Sequence, residues 1–316
     1  MSPDWETLTK SRRKRALYAR EPYLTEVWDE LHARWGGETN ATLGRLAVVM
    51  LKPEALLRGV LGTIADYLVA HGLTPIAWRT VGLDADQCTT IWRYQWNKAT
   101  DDRAALHVFV ARQTPWLLVA LRDDAPLAGV PAAVRLWGLK GPTDERVRTP
   151  DQLRSAIGMR NRMVGFVHTP DEPADVVREQ GILLDSGERA DWQAELDAHL
   201  DATRTGELLA AGDALHAAVG RHSIDADDVI ERLTRTGTPA LRRLALAARV
   251  GARRPLAEVR AAFGELDDTQ TTWDYVVLAS ELIEHDRALL RPILDPGDQR
   301  AVQDEWLRSR SEVTSG

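Results

Sequence analysis

The sequence predicts an α/β layered domain over residues 44–185, a helical extension before it at 1–43, and an all-α domain after it at 186–316. Three observations predict this. Short, nearly continuous apolar runs alternate with amphipathic stretches through the middle of the chain, strand signals vanish beyond Ser186, and Gly36-Gly37-Glu38-Thr39-Asn40 punctuates the chain between the first two segments. The length of 316 residues suits two domains at ~150 residues each.

In the extension, Ser11-Arg12-Arg13-Lys14-Arg15 is a short basic cluster, read as a solvated helix face with a phosphate or RNA contact as the alternative. The run at 45–51 has the nearly continuous apolar character of a strand buried on both faces. Val60, Ile64, Leu68 and Val69 share a helical face at 60–70, and Gly72 stops that helix. A second strand is expected at 74–83, helices at 85–96 and 103–111, a third buried strand at 116–121, and a helix at 130–137. A fourth strand at 163–168 ends on a histidine, and a helix at 173–180 follows it. Alternation of this kind is solved by a layered α/β domain. Helical periodicity then recurs at 190–200, 205–219, 226–234, 239–250, 256–263, 272–283 and 298–307, with Asp225 and Thr238 placed as N-caps. No fixed-period repeat emerges, and a solenoid-like stack stays open.

Composition narrows the function classes. Hydrophobic residues make up 44% and charged residues 28%, normal for a globular protein with a sizeable core. The net charge of -7 argues against a broad nucleic-acid footprint, although a local basic pocket for a small polyanion remains compatible with it. One cysteine, Cys88, excludes an intramolecular disulfide or a Cys-rich metal site. The N-terminal residues contain no apolar signal core, and no run approaches the ~20 residues of a membrane span, so a cytoplasmic protein is expected. Eleven tryptophans stand against three phenylalanines. Trp78, Trp92, Trp96, Trp116 and Trp137 fall on apolar faces as core residues, with one of them available as a platform for an aromatic ligand.

The chemistry-bearing features are weak singly and specific in order. The first strand runs into Lys52-Pro53-Glu54-Ala55-Leu56-Leu57-Arg58-Gly59, and Thr114-Pro115 precedes the third. Gly141-Pro142-Thr143-Asp144 forms a turn, Thr149-Pro150-Asp151-Gln152-Leu153-Arg154 comes next, and Val167-His168-Thr169-Pro170-Asp171 closes the series. This succession resembles the nucleoside diphosphate kinases, with their Lys-Pro-Asp-Gly strand end, Gly-Pro-Thr turn, Pro-Gly-Thr-Ile-Arg segment and Val-His-Gly-Ser-Asp active-site segment. Glu179 stands at the family's spacing from the histidine for the glutamate that supports it.

The resemblance implies a ferredoxin-like βαββαβ sandwich, hence an α+β protein with added helices. It implies His168 as phosphate-accepting nucleophile and Glu179 as the carboxylate that orients it. Lys52, Tyr94, Arg135, Thr143, Arg154 and Asn161 are the implied nucleotide and phosphate contacts. Magnesium would arrive on the nucleotide's phosphates, with no protein metal site. Neutral imidazole is a competent acceptor near pH 7 if one nitrogen is bare, and the phosphoryl group in flight needs cationic clamps. The residues also depart from the family pattern. Pro170 replaces a serine of the active-site segment, Gly165 replaces an asparagine, and no phenylalanine matches the one that stacks on the base. Two readings follow: a phosphotransferase working through phosphohistidine, or a nucleotide-binding or interaction module in which the helical domain acts. A nucleotide is the expected partner, with a protein partner at the helical domain, no membrane and no nucleic acid. Family members assemble as homo-oligomers, whose interfaces the two added segments could block or replace.

Overall fold

The computed structural model describes residues 2–161, 163–220 and 222–313. The extension folds as α1 (Trp5–Leu8), α2 (Arg12–Tyr18), α3 (Pro22–Trp35) and α4 (Thr39–Arg45). The central domain follows as β1 (Leu46–Leu51), α5 (Pro53–Arg58), α6 (Leu61–Ala70), β2 (Leu73–Val81), α7 (Ala85–Ile91), α8 (Asp101–Ala111), β3 (Trp116–Asp123), α9 (Ala132–Lys140), α10 (Leu153–Ala156), β4 (Val167–His168) and α11 (Pro173–Leu183). Among the described residues the elements that follow are helices: α12 (Ser186–His199), α13 (Thr205–Val219), α14 (Ala226–Thr236), α15 (Pro239–Arg249), α16 (Leu256–Phe263), α17 (Thr269–Leu282) and α18 (Pro296–Val313).

The four strands form one antiparallel sheet in the order β2-β3-β1-β4. This is the ferredoxin-like α+β arrangement. Successive side chains of a strand point to opposite faces, and here the two faces build two cores. Ala47, Val49, Leu51, Leu117, Val119 and Leu121 face α5, α6, α8 and α9. Leu46, Val48, Met50, Trp116, Leu118 and Ala120 face α3, α7, α11 and α12. Every residue of β1 and β3 is therefore buried, which is why both runs are apolar without alternation. At the β2 edge, Pro75 cannot donate to a ladder, and the register shifts between Pro75 and Ala77. Arg204, at the start of α13, covers that edge by donating its N–H to Pro75 O.

Among the described residues, the helices after Ser186 share apolar clusters with the central domain. Leu208 of α13, Val229, Ile230 and Leu233 of α14, Leu244 of α15 and Val276 and Leu278 of α17 belong to the same apolar cluster as the α5, α6, α8 and α9 face of the sheet. α13 meets α6 so closely that a Cβ on Gly212 would lie 1.8 Å from Leu61 Cδ2.

The expected strand at 163–168 shortens to Val167–His168 because other partners take the preceding N–H groups. Asn161 Oδ1 accepts from Met163 and Val164, and Glu54 Oε1 accepts from Gly165. Phe166 then adopts φ +56, the only described non-glycine residue with positive φ, and this turns the chain so that His168 pairs with Met50.

The extension grips α11. Lys14, 1% exposed, donates to Glu172 Oε2 at 2.8 Å and to Asp175 Oδ2 at 2.6 Å. Burial acts to lower its pKa, but Asp175 and Glu172 outweigh that and hold it above the ordinary lysine value. Lys14 of the basic cluster is thus an internal clamp and not part of a solvated face. Removing one member of a buried charge cluster leaves the others uncompensated, typically at about 3–5 kcal/mol. Lys14→Met is therefore expected to lower the unfolding free energy by about 3 kcal/mol in a denaturant titration, and a loss no larger than that of an exposed Arg12→Met control would contradict the clamp.

Candidate active site

His168 stands at the end of β4, its side chain 17% exposed. Its Nε2 lies 2.9 and 3.0 Å from the two carboxylate oxygens of Glu179, which reaches across from α11 and is 6% exposed. A carboxylate can only accept here, so neutral His168 carries its proton on Nε2 and leaves the Nδ1 lone pair bare. Nδ1 takes no hydrogen bond among the described residues, and His168 lines a cavity of about 420 Å³. Trp92 sets the plane of the imidazole, edge to face at 5.1 Å between ring centroids. Trp92 is in turn stacked on Trp96 and packed on Trp116 and His107. Burial, with help from the Lys52 charge, keeps the His107 pKa well below its ordinary value, so this supporting ring is neutral.

The turn after α9 supplies the next wall. Gly141 takes φ +79, and a Cβ there would meet Gln152 Oε1 at 2.5 Å, so only glycine lets the chain turn back under α10. Thr143 follows, half-buried and lining the cavity. Arg154 of α10 ties this turn to the strand of His168, donating to Gly141 O at 2.7 Å and to Val167 O at 3.3 Å. Its Nε is buried without a partner, and burial, reinforced by Arg148, pushes its pKa down to about 10.

Four of the expected residues therefore come together: His168, Glu179, Thr143 and Arg154. The other four are held elsewhere. Lys52 is paired with buried Glu54 at 2.7 Å and does not line the cavity; since Glu54 also receives Gly165 N–H, this pair braces the loop leading to His168. Arg135 is bound to Asp123 and donates to His71 O, so a nearer buried carboxylate has claimed it. Asn161 donates to Ser280 Oγ and Glu281 Oε1, linking the loop before β4 to α17. Tyr94 donates to Glu21 Oε1 at 2.7 Å and lies against Tyr18, serving the contact with the extension.

Several lining residues lie outside the set expected as nucleotide and phosphate contacts. Lys140 closes α9 next to the Gly-Pro-Thr turn, and that adjacency was the one signal available for it. Trp92 and Trp137 give the cavity its aromatic surface. Lys14 reaches in from α2, while Asp295, Gln299, Arg300 and Gln303 of the chain's last helical segment complete the wall.

A strand-end histidine oriented by a carboxylate from the next helix, with a threonine turn and an arginine beside it, is the arrangement that the motif order implied. Residues 46–189 match the family description "Nucleoside diphosphate kinase". A nucleoside diphosphate kinase of Nocardioides sp. is 32% identical over 135 residues, which cover 43% of this chain and 93% of that protein. The chain belongs to the nucleoside diphosphate kinase family. A thioredoxin domain-containing protein 3 homolog of Heliocidaris crassispina is 28% identical over 158 residues, 49% of this chain, and the chain spans 18% of that protein's length. Among solved structures, a nucleoside diphosphate kinase of Aquifex aeolicus overlaps 46% of this chain and 97% of its own at 20% identity and a TM-score of 0.37. Both helical additions lie outside the matched span, yet each contributes to the wall of the kinase-family cavity. No helix among the described residues is long and apolar enough to cross a membrane.

The histidine geometry makes a spectroscopic prediction. In long-range ¹H–¹⁵N spectra, the neutral form of His168 is expected as the pure Nε2–H tautomer. Glu179→Ala is expected to show tautomer exchange. A wild-type signal for protonated Nδ1 would contradict the arrangement.

Proposed function

We propose that the protein is a phosphotransferase that moves the terminal phosphoryl group of a nucleoside triphosphate to His168 Nδ1 and on to an acceptor, in the manner of its family. The observation that carries this reading is the Glu179-bound Nε2, which leaves Nδ1 as the free nucleophilic nitrogen in a cavity of a size suited to a small ligand. In the first half-reaction Nδ1 attacks the γ-phosphorus, the bond from phosphorus to the bridging oxygen breaks, and the nucleoside diphosphate leaves with the bond's electrons. The Nε2 proton stays in place, and Glu179 balances the positive charge that grows on the ring. In the second, an acceptor oxygen attacks phosphorus, the P–N bond breaks, and neutral His168 returns. Thr143 and Arg154 would meet the phosphate oxygens as charge redistributes.

Among the described residues no group of three or more His, Cys, Asp or Glu could hold a metal ion, while Asp171 and Asp295 line the cavity. That donor set fits a magnesium ion held by the nucleotide's phosphates, with the two carboxylates near its hydration shell. When bound, it would neutralise phosphate charge. The helical segments are the proposed place for a protein partner or for contacts in a homo-oligomer.

Incubation with γ-labelled ATP and magnesium is expected to give base-stable, acid-labile label on the protein, removed by a chase of nucleoside diphosphate. His168→Ala is expected to take none, and Thr143→Ala to slow labelling by about 10²-fold. Absence of label on the wild type, or equal label on His168→Ala, would overturn the transfer reaction. Nucleotide binding without label would support the second reading, a nucleotide-binding module, for which Pro170 in place of a serine donor is the motivating feature.

A further inference from the structure

We propose that Lys140 is a phosphate-binding residue of the His168 cavity, taking the place that Lys52 and Arg135 leave empty. This rests on the nucleotide reading above but not on transfer to His168. Among the described residues, four lysine and arginine side chains line the cavity: Lys14, Lys140, Arg154 and Arg300. Lys14 is already neutralised, with Glu172 and Asp175 both within 2.8 Å. Arg154 spends two donors on backbone carbonyls, and Arg300 is exposed at the rim.

Lys140 differs from these three. It is 5% exposed, and its ammonium has three N–H donors. One goes to Thr169 Oγ1 at 2.7 Å and a second weakly to Thr169 O at 3.4 Å. The nearest carboxylate, Asp171, stands at 3.7 Å, beyond hydrogen-bonding distance. One donor of a buried charge therefore lacks a close acceptor, which is costly unless a ligand completes the set. The residue also ends α9 immediately before Gly141-Pro142-Thr143, so it approaches the cavity on the same segment as the Thr143 hydroxyl.

Its protonation supports the assignment. Burial lowers the Lys140 pKa to about 8; Asp171, Glu179 and Asp175 pull it upward, and Arg154 pushes it further down. His168, Lys14, Asp295 and Arg300 complete the titratable and charged lining around it. A phosphate group favours the charged ammonium. The sign follows directly: the binding-competent form is lost as pH rises through about 8 in the free protein, and binding returns the proton.

The test is calorimetric titration with ADP from about pH 7 to about pH 9, in buffers of different ionisation enthalpy. The wild type is expected to take up about half a proton per ADP near pH 8 and to bind more weakly as pH rises. Lys140→Arg should keep most of the affinity and lose both the uptake and the pH dependence. Lys140→Met should bind ADP about 10–100-fold more weakly and leave adenosine affinity unchanged. Proton uptake that persists in Lys140→Arg would overturn the proposal, as would pH-independent binding by the wild type or absence of ADP binding. Proton-linked ADP binding by a protein that takes no label on His168 would leave this inference standing and remove the transfer reaction alone.

Discussion

The carboxylate of Glu172 is the point on which the rest of the structure depends. It is fully buried and accepts from Thr9 Oγ1, Lys10 N, Lys14 Nζ and Trp306 Nε1, at 2.8 to 3.0 Å. These donors come from the N-terminal extension and the last helix. The carboxylate itself caps α11 together with Asp175. A buried charge is tolerated only when its partners are all present, so the extension, α11 and α18 must assemble together. One turn further along α11, Arg178 binds Glu21 and donates to Thr90 O and Ile91 O, fastening the same helix to α3 and α7. Glu179 is its neighbour. Segments outside the family domain thus hold the helix whose Glu179 orients His168.

Charge placement in the central domain sorts the basic residues by what they do. Lys52 with Glu54 and Arg135 with Asp123 are closed pairs that brace the sheet ends. Around the cavity the balance tips the other way: burial lowers the pKa of both Lys140 and Arg154. Cations held against their desolvation cost, next to a histidine with a bare nitrogen, are the observations behind the proposed phosphate site. Trp92 and Trp137 give the same cavity an aromatic surface.

Legibility in the sequence followed locality. The strands were visible because two-sided burial writes an apolar run, and His168 with Glu179 because one tight turn and about two turns of α11 fix their distance. The Gly141 turn and Arg154 were legible for the same reason. Lys52, Arg135 and Asn161 were not, since a polar side chain goes to whichever buried partner lies nearest, and Glu54, Asp123, Ser280 and Glu281 reveal themselves only after folding. The shortening of β4 has the same origin, in side chains of Asn161 and Glu54 that take backbone donors from a ladder. Lys14 and the α18 wall are long-range contacts, brought to the cavity from the two ends of the chain.

The most direct test of the central claim, that this cavity is a phosphoryl site built around His168, is a structure of the protein with ADP and a planar phosphoryl mimic bound. The account predicts the mimic in line with Nδ1 of His168, its oxygens met by Thr143, Arg154 and Lys140, with Glu179 still on Nε2. A nucleotide bound at another surface, or bound here with its phosphates turned away from His168, would contradict it.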